Sequence, residues 1–485
     1  METIMKKNTI IITMLMVAVI AVSCTKEPVT TESTSQEYNI CIEADFSATK
    51  AVADGGTATF ATGDKVCVYN QTKAAVDANL LSAASNGAST TFTGTLAGTY
   101  SEGDVLQLFY NTTSAEVDYT LQDGTIGGVA DVAVASVTVT GVSGGTVSTG
   151  KATFTNRQSI YKFTFKNGTT TLNVRAVTIR SAGDKLVAKD NLLTGASYGA
   201  VSISNATSQS AVYAALKFSS NPSETISFTL VDDAGILYTG TKNSPAAGLA
   251  DNKFYTSEVS VTPSATMPYP FTVANSPAKT VYLAAGNLYY KDSQYSFYPC
   301  KDPFHEPQGS LTNAERRDRS WFQWSVVNEK FASSSSTQDV YFNGAASKGW
   351  YVLSKDQFYC LVAQRSSVLV SGVQSAYNIT TTAGILLPPD NATLADVEGL
   401  LTGWQQNSLS ETQVLRYISK GFAFLRSSGH YYNENANNIG SRGNYWTSTS
   451  YSDEKAHLLG FTSSNAPSND NQAKTQYYSV RLAHD

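Results

Sequence analysis

The feature that most limits the fold of this chain is a succession of short runs in which apolar and polar residues alternate. Between residues 37 and 262, Gly, Asn, Asp and Ser separate these runs at intervals of about eight to twelve residues, a spacing typical of sandwiches and barrels. In Ser159–Phe165 the alternation turns one face of the strand toward a core and the other toward water. No convincing amphipathic helix interrupts this part. The pattern predicts strands at Ile40–Phe46, Lys65–Tyr69, Asp104–Tyr110, Ser136–Thr140, Ser159–Phe165, Val174–Ile179, Ala211–Phe218, Ile226–Val231 and Phe254–Val261.

The second half of the chain has a different character. All five tryptophans and all four histidines lie beyond residue 300. Two capping boxes predict helices, one opened by Ser354–Gln357 and ending near Gln364, the other opened by Ser410–Gln413 and ending at Gly421. We therefore predict a mainly β protein, in which a mixed α+β module follows the β part. Three prolines make residues 263–272 a stiff linker between the two.

The N-terminus predicts export. Lys6 and Lys7 precede about a dozen apolar residues, which end at Ser23 and Cys24, and this stretch is too short to be retained as a spanning helix. The junction resembles the lipobox of bacterial lipoproteins, which implies that residues 1–23 are a signal peptide and that Cys24 is the lipidation site. Residues 24–36 are then a tether, and Thr25 after the cysteine favours the outer membrane.

The charge distribution bears on nucleic-acid binding, and the cysteine content bears on disulfides and metal sites. The 34 basic and 39 acidic residues are intermixed without a basic block, so no nucleic-acid partner is expected. Four further cysteines lie two in each half, and an exported chain can pair them as Cys41–Cys67 and Cys300–Cys360. Buried free thiols are the alternative. No cysteine or histidine spacing indicates a metal site.

The β part resembles the fimbrillin family of Bacteroidota. The resemblance rests on pieces in family order: Phe60–Val66, Phe92–Gly94, Arg157–Phe163 and Asn252–Thr256. It implies two consecutive β-sandwich subdomains, at 37–147 and 148–262. It also implies assembly by strand exchange with other fimbrillin subunits, after a protease removes the first strand.

The processing site departs from the pattern that this resemblance implies. The family's usual cut follows an arginine, but the first arginine of this chain is Arg157, far inside the β part. Lys50 is therefore the candidate processing residue.

The last module resembles a family of C-type-lectin-like domains that end many Bacteroidota surface lipoproteins. Gly349–Ser354, Gly384–Pro388, Gly443–Thr449 and Tyr478–Leu482 carry the resemblance, which spans nearly all of residues 273–485. It implies a compact domain with two helices on a small sheet, and a long irregular loop that displays binding residues.

Three interpretations of this module stay open. As a glycan binder, the module offers aromatic rings for the apolar face of a sugar and amide or carboxylate groups for the hydroxyls of the sugar, all within one stretch after Gly429. The alternative for this stretch is a polar turn without a ligand. The candidate ligand-binding residues are Tyr431, Tyr432, Asn433, Glu434, Asn435 and Asn437.

Calcium and catalysis have weaker support. Asn469–Asn471 and Glu306–Gln308 are similar to pieces of calcium-dependent lectins, although no tryptophan precedes Asn469. His430 and His457 are the candidate acid–base groups, but Asp453 and Glu454 beside His457 have the composition of a solvated turn. We expect no cofactor and no enzyme activity.

These interpretations combine into one prediction of function. A strand-accepting β part that is followed by a lectin-like domain has no obvious strand to donate to a further subunit. This arrangement is expected of a fimbrial tip or accessory subunit. Such a subunit presents its last domain to a glycan or to a host or bacterial surface protein. The alternative is a stand-alone outer-membrane lipoprotein that binds glycan and never enters a pilus.

Overall fold

A computed structural model describes the chain from residue 37 to its last residue, apart from short gaps. Among the described residues, no helix is long and apolar enough to cross a bilayer. The predicted signal peptide and tether, including Cys24, lie outside them, as do Lys50 and Cys300. The gaps are residues 48–58, 113, 131, 192, 220–222, 246–247, 298–311, 364, 366–367, 374–381, 398, 402–404 and 463.

The first unit is a sheet that closes on itself around one apolar core. The order of pairing is β4-β3-β2-β5-β7-β8-β1-β9, and a further pairing of β4 with β1 completes the circle. Side chains of every second residue, such as Ile42, Phe92 and Phe154, fill the interior. Its strands are β1 Tyr38–Phe46, β2 Lys65–Asn70, β3 Ala75–Ala83, β4 Ser89–Leu96, β5 Val105–Tyr110, β7 Ala133–Ser143, β8 Thr146–Thr149 and β9 Ala152–Asn156, while β6 Glu116–Asp118 lies between them in sequence.

The second unit is a sandwich of two sheets over a second core. One sheet holds β10 between β16 and β19, and the other has the order β15-β12-β17-β18-β20. Phe163 and Phe165 of the first sheet contact Phe228 of the second at ring distances of 5.2 and 5.5 Å. The strands are β10 Ser159–Asn167, β11 Thr170–Thr171, β12 Val174–Ser181, β13 Val187–Asn191, β14 Gly195–Tyr198, β15 Val201–Gln209, β16 Val212–Leu216, β17 Thr225–Asp232, β18 Leu237–Asn243, β19 Phe254–Ser260 and β20 Thr262–Pro263.

The border between these two units lies later in the chain than the predicted break after residue 147. Val147 of β8 and Phe154 of β9 are buried in the first core, so both strands belong to the first unit. The second unit begins with β10. Strand β6 lies between β5 and β7 in sequence but pairs with β13 of the second unit, which places Val117 and Tyr119 in the second core. The chain reverses direction at Gly144–Gly145, between β7 and β8, and continues in the same direction past Gly150 into β9, so neither turn marks a border between units.

The described residues of the C-terminal domain form small sheets and four α-helices. Strands predominate over the described chain, so the predicted mainly β fold class is confirmed. The helices are α1 Asn313–Ser320, α2 Trp324–Phe331, α3 Lys355–Ala363 and α4 Glu411–Ser419. The strands are β21 Phe271–Asn275, β22 Ala278–Leu283, β23 Leu288–Lys291, β24 Gln294–Phe297, β25 Phe322–Gln323, β26 Val340–Phe342, β27 Ala345–Ser347, β28 Tyr351–Val352, β29 Val368–Val373, β30 Thr382–Leu387, β31 Gln406–Ser408, β32 Ala423–Arg426, β33 His430–Tyr432, β34 Asn435–Asn437, β35 Arg442–Ser450, β36 Lys455–Thr462, β37 Ser468–Ala473, β38 Tyr477–Tyr478 and β39 Leu482–His484.

Both predicted capping boxes form. Ser354 N–H donates to Gln357 Oε1 at 2.8 Å at the start of α3, and Ser410 N–H donates to Gln413 Oε1 at 2.8 Å at the start of α4. Gly421, with φ +99°, ends α4 as predicted. The domain has two more helices than the resemblance implied. Of these, α1 opens with a third capping box, in which Thr312 and Glu315 bond reciprocally.

Residues 263–272 do not form an exposed linker. Met267 is fully buried, and Ala176, Val231 and Leu237 of the second unit share the core of the C-terminal domain. Helix α4 packs on β12, β15 and β17, where Thr178 Oγ1 lies 2.8 Å from Ser419 Oγ. The second unit and the C-terminal domain are therefore packed together through side chains.

The proposed Cys41–Cys67 disulfide does not form, because both residues are free thiols. Their strands, β1 and β2, are not neighbours in the sheet. Cys41 points outward from β1, whereas Cys67 is buried beside Phe109. Cys360 on α3 is also buried and free.

This difference predicts selective alkylation of the native protein. We expect iodoacetamide to modify Cys41 completely, and Cys67 roughly a hundredfold more slowly, because the buried thiol reacts only after local opening. Burial, together with the charge of Asp77, also raises the pKa of the Cys67 thiol. Peptide mass mapping measures both rates, and the urea-unfolded chain is the control. Equal rates in the native protein would contradict the assigned burial.

Candidate functional site

Strand β1 is held on both sides by backbone pairing. Along one edge it runs antiparallel to β4, from the pair Tyr38–Leu96 to the pair Asp45–Ser89. Along the other it runs parallel first to β8, where Ile40 pairs with Val147, and then to β9, where Phe46 pairs with Phe154. The strand therefore supplies the closure between β4 and the β8–β9 edge.

Side chains fix the register of β1. Tyr38, Ile40, Ile42 and Ala44 all point into the first core and are buried. The Phe46 ring stacks on Phe60 with centroids 4.0 Å apart. A one-residue slip would move this whole apolar set to the solvent side.

Polar contacts tie down the end of β1. Lys151 Nζ lies 2.8 Å from Asp45 Oδ2, and Thr153 Oγ1 donates to Asp45 Oδ1 at 2.8 Å. The hydrogen bonds from Lys151 and Thr153 lower the pKa of the exposed Asp45 carboxyl. Loss of β1 would leave two unpaired strand edges and an open apolar trough, a surface that another strand can satisfy.

A β-hairpin occupies the region where the long binding loop was predicted. Strands β33 and β34 pair around Asn433 and Glu434, whose φ values of 49° and 63° define a type I′ turn. At Gly429, with φ +70°, a Cβ atom would lie 2.4 Å from Asn437 O, so only glycine fits the entry to the hairpin. The predicted irregular loop is therefore wrong for this segment.

The hairpin buries one of the predicted tyrosines and exposes the other. Tyr431 is buried against Trp321 and Tyr477, with ring centroids 6.4 and 5.8 Å away. The Arg317 guanidinium lies 5.5 Å from the Tyr431 centroid. Tyr432 is 49% exposed on the opposite face. Tyr432, and not Tyr431, is therefore available to a ligand.

The amides of the hairpin serve its turn. Asn435 Nδ2 donates to Asn433 O at 2.8 Å, and Asn437 Nδ2 donates to Asn435 O at 2.9 Å and to Tyr432 O at 3.2 Å. The side chains of Asn433, Glu434 and Asn435 remain exposed. These contacts account for part of the polar composition of the segment without a ligand.

Neighbouring strands bring further polar groups to the exposed side of the hairpin. Arg442 Nε donates to Asn444 Oδ1 at 3.1 Å, and its Nη2 lies 3.5 Å from Asp470 Oδ2. Burial lowers the pKa of His430, and the charge of Arg442 acts in the same direction, which favours a neutral imidazole. Burial raises the pKa of Tyr478 to about 12. The charges of Asp470 and Tyr432 act in the same direction, whereas the charge of Arg442 lowers the pKa.

The described residues that were considered for calcium and catalysis take part in other contacts. Asp470 of the Asn469–Asn471 piece pairs with Arg442, and Glu306–Gln308 lies outside the described residues. Within the described ranges, no group of three or more His, Cys, Asp or Glu side chains is placed to hold a metal. Asp453 and Glu454 lie in an exposed turn, and the His457 ring packs against Tyr451 at 5.2 Å.

Several contributors to this face were not predicted. Arg442 and Asp470 lie 28 positions apart, and only the pairing of β35 and β37 with β36 brings them together. Trp321 and Arg317 support the hairpin from below, since both contact the ring of Tyr431. The Thr312–Glu315 capping box could have revealed α1, the helix that carries Arg317.

Comparison with known proteins gives a short match in the last domain. The family model described as a domain of unknown function (DUF8237) matches residues 404–483, which hold α4 and the hairpin. No curated protein matches this chain.

Solved structures resemble slightly less than half of the chain. A candidate cell adhesion protein from Bacteroides ovatus is 16% identical, with 46% of this chain and 95% of that one covered and a TM-score of 0.29. The tip fimbrial protein Mfa3 from Porphyromonas gingivalis, with a C-terminal truncation, is 11% identical over 47% of this chain and 98% of its own, with a TM-score of 0.26. The shaft pilin SpaA from Lactobacillus rhamnosus is 14% identical over 48% and 100%, with a TM-score of 0.23. At these TM-scores the similarities carry no argument about this chain.

Proposed function

We propose that this chain is a non-enzymatic surface subunit of a fimbrium, which accepts a strand from a neighbouring subunit in place of β1. Its C-terminal domain, at the fimbrial tip or in an accessory position, meets a glycan or a surface protein of a host or another bacterium. A lipid on Cys24 holds the precursor at the outer membrane before processing near Lys50.

The position of β1 is the observation that supports this proposal. It is an internal strand of a closed sheet, yet it is the first described strand, and residues 48–58 separate it from the rest of the unit. One cut after Lys50 would leave β1 attached only by hydrogen bonds and apolar contacts. A strand with the same alternation could then replace it without rearrangement of the remaining strands.

The decisive experiment reads the N-terminus and the size of the protein on its own bacterium. We expect native immunoblotting to show a high-mass ladder, and mass spectrometry to find an N-terminus close to residue 51 within it. An intact, acylated Cys24 on a monomer would contradict the proposal.

That second result would favour a stand-alone glycan-binding lipoprotein. The uncut chain closes its own first unit, since β1 pairs fully with β4 and with the β8–β9 edge. It therefore needs no partner strand to be stable. Processing decides between the two functions.

Substitution of Tyr432 tests the hairpin as the ligand face. We expect Tyr432→Ala to weaken binding to a glycan retained by the wild type about tenfold, because an exposed ring that stacks on a sugar is lost. The free energy of unfolding should change by less than about 0.5 kcal/mol. Tyr451→Ala, at a similarly exposed tyrosine, is the matched control. If none of the glycans retained by the wild type binds more weakly to Tyr432→Ala, the hairpin is a polar turn without a glycan ligand.

A further inference from the structure

A polar cleft lies between the first and second units. Its volume is about 590 Å³, within the usual range for small-molecule sites. Val187 and Phe218 form part of its floor and are buried. Strand β9 contributes Asn156 from the first unit, and strand β13 contributes Asp190 from the second.

Asn156 is the feature of this cleft that the fold does not explain. Its side chain is only 4% exposed, yet neither its amide nitrogen nor its amide oxygen has a hydrogen-bond partner in the protein. An unpaired buried amide destabilises the folded state, so such groups normally have a partner. A primary amide that lines a cleft offers two N–H donors and a carbonyl acceptor to a ligand.

Charged groups line the cleft in balance. The buried Asp190 carboxylate accepts from Arg157 Nε at 3.2 Å and also contacts Lys217 Nζ. Asp251 adds a second carboxylate at the exposed mouth. Two cations therefore face two anions, and neither an anionic nor a cationic ligand gains from the net charge. Arg157 and Lys217 keep further N–H groups beyond those directed at Asp190.

An aromatic ring stands at the rim. Tyr198 of β14 lines the cleft and is 51% exposed, although large aromatic side chains are usually more buried than this. An exposed ring beside planar amide, guanidinium and carboxylate groups suits a molecule with an apolar face and several hydroxyls.

We propose that this cleft binds a neutral saccharide, with Tyr198 against the face of a sugar ring and Asn156 bonded to its hydroxyls. The site is separate from the hairpin of the C-terminal domain and does not depend on strand exchange. It would give the chain a second carbohydrate contact, in the part that the proposed function treats as structural.

Two variants test the site without loss of the fold. Asn156→Leu replaces an unpaired buried amide with an apolar side chain of similar shape, so the melting temperature should stay the same or rise. Tyr198→Ala removes an exposed ring and should leave the melting temperature unchanged. Tyr432→Ala, in the hairpin, is the matched control at the other candidate site.

The purified chain and the three variants are applied to an array of neutral mono- and oligosaccharides, followed by calorimetry with each retained sugar. We expect at least one sugar whose binding falls roughly tenfold or more in Asn156→Leu and in Tyr198→Ala but not in Tyr432→Ala. A loss confined to Tyr432→Ala assigns the sugar to the hairpin and overturns the proposal. It is equally overturned if no neutral saccharide binds, or if both cleft variants bind as the wild type does.

Discussion

A disulfide between Cys41 and a cysteine introduced by Thr93→Cys should abolish entry of the subunit into a high-mass polymer. The two residues are directly opposite each other on β1 and β4, and both side chains face outward. Opposed residues of an antiparallel pair have Cα atoms about 4.5–5.5 Å apart, a separation that a disulfide spans. The bridge would hold β1 in place after any cut at Lys50, so no incoming strand could replace it.

The measurement is polymer formation by cells that produce the oxidised variant, read on a native gel. We expect the ladder to lose this subunit when the bridge is formed and to regain it after reduction. A matched control carries Cys41→Ser with Thr225→Cys and Asn243→Cys, an exposed opposed pair on β17 and β18. That bridge leaves β1 free, and the control should polymerise. Normal incorporation of the bridged Cys41 variant would show that β1 is not exchanged.

Trp446→Ala should destabilise the C-terminal domain by about 3–5 kcal/mol, the usual range for removal of a large buried aromatic side chain. Trp446 is fully buried, and its ring meets Tyr478 edge-on at 4.7 Å. Its indole N–H donates to Phe322 O at 2.8 Å, so the substitution also leaves a buried carbonyl without that donor.

Urea unfolding followed by tryptophan fluorescence measures this loss. Trp446→Phe keeps an aromatic ring but removes the N–H donor and part of the indole, so we expect a smaller cost, of roughly 1–3 kcal/mol. Tyr359→Ala, at an exposed ring on α3, should cost less than about 0.5 kcal/mol. A loss below about 1 kcal/mol for Trp446→Ala would contradict the assigned packing.

Sequence periodicity predicted the strands that carry clear alternation, and the capping boxes predicted α3 and α4. It missed strands such as β13 and β14, in which charged and small residues obscure the period. The hairpin was mistaken for a loop because Asn and Gly are common to both. What makes it a hairpin is the burial of Tyr431 on Trp321, a contact across more than 100 positions of sequence.

The residues of the cleft were even harder to predict from the sequence than the hairpin. Asn156, Asp190 and Asp251 are ordinary polar residues in sequence, separated by tens of positions. Their proximity depends on β6 crossing to pair with β13, and on the first unit ending at β9 instead of at residue 147. Local patterns do not encode such long-range pairing, and the missing partner of Asn156 is visible only in three dimensions.

The packing of α4 on the second unit has a mechanical consequence. A tip attached by an exposed tether would swing freely and would load one covalent connection when pulled. Here the contact from Thr178 to Ser419, the bond from Arg416 Nε to Ser204 Oγ at 3.0 Å and the shared apolar core lie in parallel with the chain itself. If flow pulls on a ligand bound to the last domain, the force would therefore be spread as shear over the many weak contacts with the sheet of β12, β15 and β17. The second unit and the C-terminal domain would resist bending relative to each other and would move as one body.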